Sequence, residues 1–157
     1  MTSKLSDIPQ KSSSSNYVVS EYIANPLLLN GYKFDMRIYV AVTCINPLRI
    51  YMYEEGLARF ATCKYTQGGF AGGQGGPAGS KSKYMHLTNY SINKKNAAFQ
   101  QNKQGINDGE GSKWSLTALR KLMRALGIDD KAIWRSIEDI VIKTLLSAEP
   151  QINAACD

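Results

Sequence analysis

The clearest alternation in the chain runs from Lys33 to Thr43, where Phe34, Met36, Ile38, Val40 and Val42 recur at every second residue. A period of two puts these five side chains on one face of an extended strand, and Lys33, Asp35 and Arg37 open the opposite face. Asn46-Pro47-Leu48 reads as a turn, after which Arg49 to Glu54 alternates again, Ile50 and Met52 lying opposite Arg49, Tyr51 and Tyr53. Two alternating runs around a short turn predict a β-hairpin. Upstream, the β-prone run Tyr17 to Ile23 predicts a short strand, stopped by Asn25-Pro26 because proline supplies no amide donor. Downstream of Gly56, Leu57 to Ala61 reads either as a further short strand or as an extended connection.

The final third changes period. Trp114, Ala118, Leu119, Leu122, Met123 and Leu126 recur at spacings of three and four, which predicts a helix from about Lys113 to Leu126 ended by Gly127. Asp129 is placed to cap a second helix, whose apolar face is Ile133, Trp134, Ile137, Ile140, Val141, Thr144 and Leu145 until Pro150 blocks continuation. These stripes read as core. Two long helices behind a small, mostly antiparallel sheet give an α+β or α/β arrangement.

Three stretches interrupt the pattern. Met1 to Asn16, with its run of serines, offers little for a core and is expected to be mobile. From Gln67 to Ser80 glycine dominates; such backbone is costly to order, and the spacing fits neither a Walker A loop nor a dinucleotide fingerprint, so a flexible surface insertion is expected. The polar stretch Asn93 to Gly111 reads as loop, with a short helix around Ala97 to Gln101 as the alternative.

Charge and cysteine content narrow the class. Lysine and arginine total 19 against 13 acidic residues, a net charge of +6 that favours approach to polyanions such as acidic protein tails or nucleotides. No dense basic block interleaved with aromatics supports nucleic-acid binding, and no long apolar run supports a membrane partner. Cys44, Cys63 and Cys156 are odd in number and contain no CxxC pair, the pattern of reduced thiols in a cytoplasmic or nuclear protein.

Chemistry could reside in the Lys33, Asp35, Arg37 row. An ordinary solvated sheet face is one reading. The other is a polar cleft, in which Arg59 and the segment His86-Leu87-Thr88-Asn89-Tyr90 add cations for phosphate or carboxylate oxygens and neutral groups for orientation. Residue type and spacing leave both open.

Longer motifs carry a resemblance. Lys33-Phe34-Asp35-Met36-Arg37-Ile38-Tyr39-Val40, then Asn46 to Ala61, then Met85-His86-Leu87-Thr88-Asn89-Tyr90-Ser91-Ile92-Asn93-Lys94, resemble the tubulin tyrosine ligase-like family, most closely its glutamylase members. The later Lys113-Trp114-Ser115-Leu116 and Leu145 to Pro150 follow in the family's order, so the likeness runs from Tyr17 to Asp157 apart from the glycine insert.

That resemblance implies a partial ATP-grasp domain over 17–157 with the flexible insertion at 67–80. It implies ATP and Mg2+ as cofactors, free L-glutamate as co-substrate, and the acidic C-terminal tails of tubulin or microtubules as acceptor. Ser20, Glu21, Tyr22 and Ile23 would form the hinge that contacts adenine. Lys33 and Asp35 would lie near the phosphates, with Thr88 and Asn89 also positioning nucleotide. Lys33, Asp35, Arg37 and Arg59 are the expected catalytic set, and Arg37, Arg59, Lys64 and Asn89 the expected substrate binders. His86 reads as a structural hydrogen-bonding residue in preference to an acid or base. Metal ligands and a second lobe are expected outside this sequence, so the chain alone is expected to be inactive. Alternatives are an inactive module that binds microtubules or an acidic tail, and a tyrosine ligase or glycylase. The family also implies a cytoskeletal setting, including cilium, axoneme or basal body.

Overall fold

The computed structural model of the chain describes residues 18–66, 83–100 and 109–156. The expected mobile segment 1–16 and the glycine-rich stretch 67–80 lie outside the described residues. Four strands, β1 (Leu28–Leu29), β2 (Tyr32–Cys44), β3 (Arg49–Phe60) and β4 (Lys113–Ser115), form one sheet in the order β1-β2-β3-β4. Helices α1 (Tyr90–Asn93), α2 (Leu116–Ala125) and α3 (Asp130–Cys156), with a helical turn at 83–86, give an α+β architecture. β2 and β3, joined by a turn over 45–48, are the predicted hairpin. The chain divides into two compact units: Met1–Phe34 with Ala61–Ala98, and Asp35–Phe60 with Phe99–Asp157.

In the first unit β1 runs antiparallel to the start of β2, with Leu29 opposite Tyr32 and Leu28 opposite Lys33. The two-residue link is Asn30-Gly31, both at positive φ (53° and 81°), a conformation open to asparagine and glycine at low steric cost. After β3 the chain returns beside this turn: Ala61 N–H donates to the Lys33 carbonyl at 2.9 Å and Tyr65 N–H to the Gly31 carbonyl at 2.9 Å. Asn93, 1% exposed, locks the unit. Its Oδ1 accepts from Thr62 N–H (3.1 Å) and Thr62 Oγ1 (2.7 Å), while its Nδ2 donates to the carbonyls of Leu87 (2.7 Å) and Asn89 (3.1 Å). Asn96 Nδ2 donates in turn to Thr62 Oγ1 at 2.7 Å. A buried amide with every polar atom engaged fixes both chain segments it touches.

The second unit holds most of the apolar core: Ala58, Phe60, Leu116, Leu119, Met123 and Trp134 are all buried. Burial of each of the larger aliphatic side chains contributes roughly 2 kcal/mol. Helix α2 starts at Ser115, whose hydroxyl accepts from Ala118 N–H at 3.0 Å. It stops where Gly127 adopts φ 73°, with Ile128 N–H bonded to the Met123 carbonyl and Gly127 N–H to that of Arg124. This pairing satisfies the last carbonyls of the helix. Asp129 then caps α3 as expected, its carboxylate accepting from Ala132 N–H at 3.0 Å.

Several expectations need correction. Residues 18–23 form no strand; Val18, Val19 and Ile23 are 98%, 63% and 72% exposed, so β-propensity there meets no covering surface. Gly56 does not divide β3, which runs unbroken from Arg49 to Phe60. A Cβ at residue 56 would stand 2.2 Å from the Arg37 carbonyl oxygen, so glycine is what lets β2 approach. Residues 113–115 are strand, not the first helical turn, because Lys113, Trp114 and Ser115 pair with Arg59, Ala58 and Leu57. Residues 97–100 are not helical. Pro150 lies inside α3, which continues to Cys156; a proline deletes one ladder bond, and the turns on either side retain theirs. Along that helix Ile140 is 62% exposed and Thr144 is exposed too, so the covered stripe is Ile133, Trp134, Ile137, Val141 and Leu145.

Candidate functional site

In the first unit the candidate residues gather around Lys33. The residue is partly buried near the start of β2, and its ammonium donates to the His86 carbonyl oxygen at 2.8 Å and to the Tyr22 hydroxyl at 3.3 Å. The same nitrogen lies 4.9 Å from the centre of the Tyr22 ring, within cation–π range. The Tyr22 hydroxyl and His86 Nδ1 are 2.9 Å apart. His86, 2% exposed, meets the Tyr22 and Tyr65 rings edge-on, with centroids 5.6 and 5.2 Å away. Burial, and secondarily the Lys33 charge, push the His86 pKa below its ordinary value of 6.5. Tyr65 is fixed by donating to the Ala24 carbonyl at 2.7 Å, and burial raises its phenol pKa.

Around this cluster the other expected residues are placed less tightly. Ser20, Glu21 and Ile23 are exposed on irregular backbone, leaving Tyr22 as the anchored member of the expected hinge. Lys64 is exposed, its aliphatic stem 3.7 Å from where a Gly31 Cβ would stand. Thr88 is half-buried and Asn89 exposed; Asn89 precedes α1 without capping it through its side chain. The bonds from Asn93 to the carbonyls of Leu87 and Asn89 hold this short segment in place.

In the second unit, Asp35 and Arg59 form a forked ion pair. Arg59 Nε donates to Asp35 Oδ1 and Oδ2 at 3.0 and 3.2 Å, and its terminal nitrogen donates to Oδ2 at 2.7 Å. Both side chains are partly covered, at 20% and 33% exposure, so solvent screens the pair and its value lies in orienting the guanidinium more than in stability. Arg37, two residues beyond Asp35, is exposed. A groove of about 1040 Å³ in the same unit, lined by Ile50, Met52, Trp134, Val141, Ile142 and Leu146 among others, contains none of the expected site residues. Its lining also carries Arg120, Lys131 and Arg135 beside Glu54, Glu55 and Glu138, a mixture of both signs around an apolar floor.

Sequence reasoning missed Asn93 and Thr62 as supports and gave Tyr22 only a hinge role. Asn93 stands in the His86 to Lys94 motif, but nothing local distinguishes a buried asparagine from a loop asparagine; its partners are up to 31 residues away. Among the described residues no group of three or more His, Cys, Asp or Glu side chains could hold a metal ion. Asp35, the acidic residue of the expected catalytic set, is engaged by Arg59.

Comparison with known proteins matches this chain to the family model described as "Tubulin-tyrosine ligase family" over residues 1–156. The chain is 45% identical over 141 residues to human tubulin polyglutamylase TTLL5, covering 90% of this chain and 10% of that protein. It is 44% identical over 137 residues to human tubulin monoglutamylase TTLL4, covering 87% of this chain and 11% of that protein. To the human protein named probable tubulin polyglutamylase TTLL2 it is 41% identical over 141 residues, 90% of this chain and 22% of that protein. The chain thus spans between about a tenth and a fifth of these relatives, and its antiparallel sheet followed by helices matches a partial ATP-grasp-like fold. The chain belongs to the tubulin-tyrosine ligase family.

Proposed function

We propose that the protein carrying this chain is an ATP-dependent ligase that joins glutamate to glutamate side chains of tubulin C-terminal tails. The observation that carries the reading is the guanidinium of Arg59 clamped on Asp35, which sits on the same strand as Lys33 and Arg37. The matched relatives are themselves named glutamylases, which favours glutamate over tyrosine or glycine as the amino acid added. The net charge of +6 suits an acidic acceptor tail.

A carboxylate oxygen is a poor leaving group. In the proposed reaction the acceptor carboxylate attacks the γ-phosphorus of ATP, releasing ADP and forming an acyl phosphate. The amine of free glutamate then attacks the acyl carbon, phosphate departs with the C–O bonding electrons, and the amine loses a proton as the isopeptide bond forms. Negative charge builds on the phosphoryl oxygens in both steps, so fixed cations there lower the barrier. Arg59 keeps N–H donors beyond the two engaged by Asp35 and can present them to phosphate or carboxylate oxygens. Lys33 faces the nucleotide, with Thr88 and Asn89 aiding its placement and the 20–23 segment bordering adenine. Arg37, Lys64 and Asn89 take the carboxylates of the incoming amino acid and acceptor. Magnesium is expected from the family, but the described residues supply no ligand set for it, and no step is assigned to it.

The test is mass spectrometry of tubulin incubated with the full-length protein, ATP and glutamate, tyrosine or glycine in turn. A ladder of glutamate additions that requires ATP is expected. Tubulin binding without any mass change would refute the ligase reading and favour a tail-binding module.

A further inference from the structure

The proposed reaction leaves Tyr22 with a backbone role and His86 with none, yet both side chains converge on Lys33. An ammonium carries three N–H donors, and two are engaged among the described residues, by the His86 carbonyl at 2.8 Å and the Tyr22 hydroxyl at 3.3 Å. The Tyr22 ring, 4.9 Å away, covers another side of the charge. Tyr22 is held in turn: its hydroxyl lies 2.9 Å from His86 Nδ1. His86 is wedged edge-on against the Tyr22 and Tyr65 rings and is 2% exposed. A lysine on a sheet ordinarily keeps its long, rotamer-rich side chain mobile. Here that freedom is lost before any ligand arrives.

We propose that Tyr22 and His86 are positioning residues for Lys33, holding its ammonium so that the remaining N–H meets a phosphate oxygen of a nucleoside triphosphate in one pose. The proposal deepens the nucleotide-site reading and rests on it. It also has a consequence that simple packing lacks. Among the described residues the titratable groups facing His86 include Tyr22 from the segment before β1, Lys33 from β2, and Tyr65 from the segment after β3. Whichever ring nitrogen is protonated in the neutral imidazole, a second proton places a cation in the cluster that holds the Lys33 ammonium. The Tyr22 oxygen must then accept from both cations at once. Charging His86 therefore loosens Lys33, and by reciprocity Lys33 opposes the charging of His86.

His86 is the only histidine in the sequence, so its ring gives a single set of signals in ¹H–¹⁵N NMR of the chain. In the wild type its titration is expected below 6.5, and Lys33→Met is expected to raise the midpoint by about half a pH unit, a roughly threefold change in proton affinity. An unchanged midpoint in folded Lys33→Met overturns the positioning role. Tyr22→Phe keeps the ring and removes one oxygen. ATP affinity of the full-length protein, followed by titration calorimetry, is expected to weaken about tenfold in this variant, the scale of a hydrogen bond to a charged group. Wild-type affinity is expected to fall on acidification through the His86 titration, and this dependence is expected to flatten in Tyr22→Phe. Wild-type affinity and pH profile in Tyr22→Phe overturn the proposal. Failure of the wild-type full-length protein to bind ATP refutes the nucleotide-site reading instead, and the His86 titration then decides alone whether Lys33 is held.

Discussion

Replacing Gly56 by alanine tests the packing that brings β2 and β3 together. The added Cβ would lie 2.2 Å from the Arg37 carbonyl oxygen and 2.9 Å from Leu116 Cδ1. The first obstacle is backbone, and the second belongs to a fully buried leucine. Carbon–oxygen contacts of this kind settle at about 3.3 Å or more, so β2 must retreat by roughly 1 Å. Overpacking of this severity costs about 1–3 kcal/mol, and alanine's smaller unfolded-state entropy returns less than about 1 kcal/mol, for a net loss near 2 kcal/mol. With a urea dependence of about 2 kcal/mol/M, the unfolding midpoint should fall by roughly 1 M. Trp114 and Trp134, the only tryptophans, both belong to the unit containing Gly56, so their fluorescence reports the change directly. A Gly56→Ala midpoint within about 0.2 M of wild type would refute this reasoning, since the strands would then be free to separate at no cost.

Other consequences are testable in the same way. Asn93→Ala strips partners from Thr62 and from the carbonyls of Leu87 and Asn89; a loss of about 3 kcal/mol in urea unfolding is expected, and hydrogen exchange should accelerate at Thr62 N–H. Arg59→Lys keeps the charge but loses the fork on Asp35, so the proposed ligase turnover of the full-length protein should drop by at least about tenfold with little change in stability; unaltered turnover would remove Arg59 from the proposed site. Asp130, 3% exposed, is bonded by Arg124 and Arg120, which hold its carboxyl well below the usual carboxylate range. A depressed carboxylate stabilises the fold above its unfolded pKa near 3.8, and that contribution fades as pH falls from there towards the folded pKa. Asp130→Asn should therefore destabilise at pH 7 and flatten the acid limb of the unfolding curve; a parallel limb in the variant counts against the ion cluster.

Much of the architecture was legible because it is written in neighbouring residues. Alternation from Phe34 to Val42 and around Ile50 and Met52 set the hairpin, and the three-four spacing of Leu119, Leu122 and Met123 set α2. Gly127 and Asp129 marked a helix end and the next beginning by local backbone chemistry. The family likeness is legible for the same reason, since the motifs that carry it, such as Lys33 to Val40 and Met85 to Lys94, are contiguous runs. The same local rules misjudged Val18 to Ile23 and Lys113 to Ser115, since strand formation depends on a partner that propensity cannot see.

What the sequence determined by itself was therefore the long hairpin, the two long helices and the charged row Lys33, Asp35, Arg37. Tertiary structure alone decided how that row is used: Asp35 pairs with Arg59 24 positions on, and Lys33 reaches His86 53 positions on. Tyr22 meets that same histidine across 64 residues. Periodicity encodes which way a side chain faces along its own segment. Which distant atom it meets depends on close approaches such as Gly56 against Arg37, and these exist only once the chain has folded.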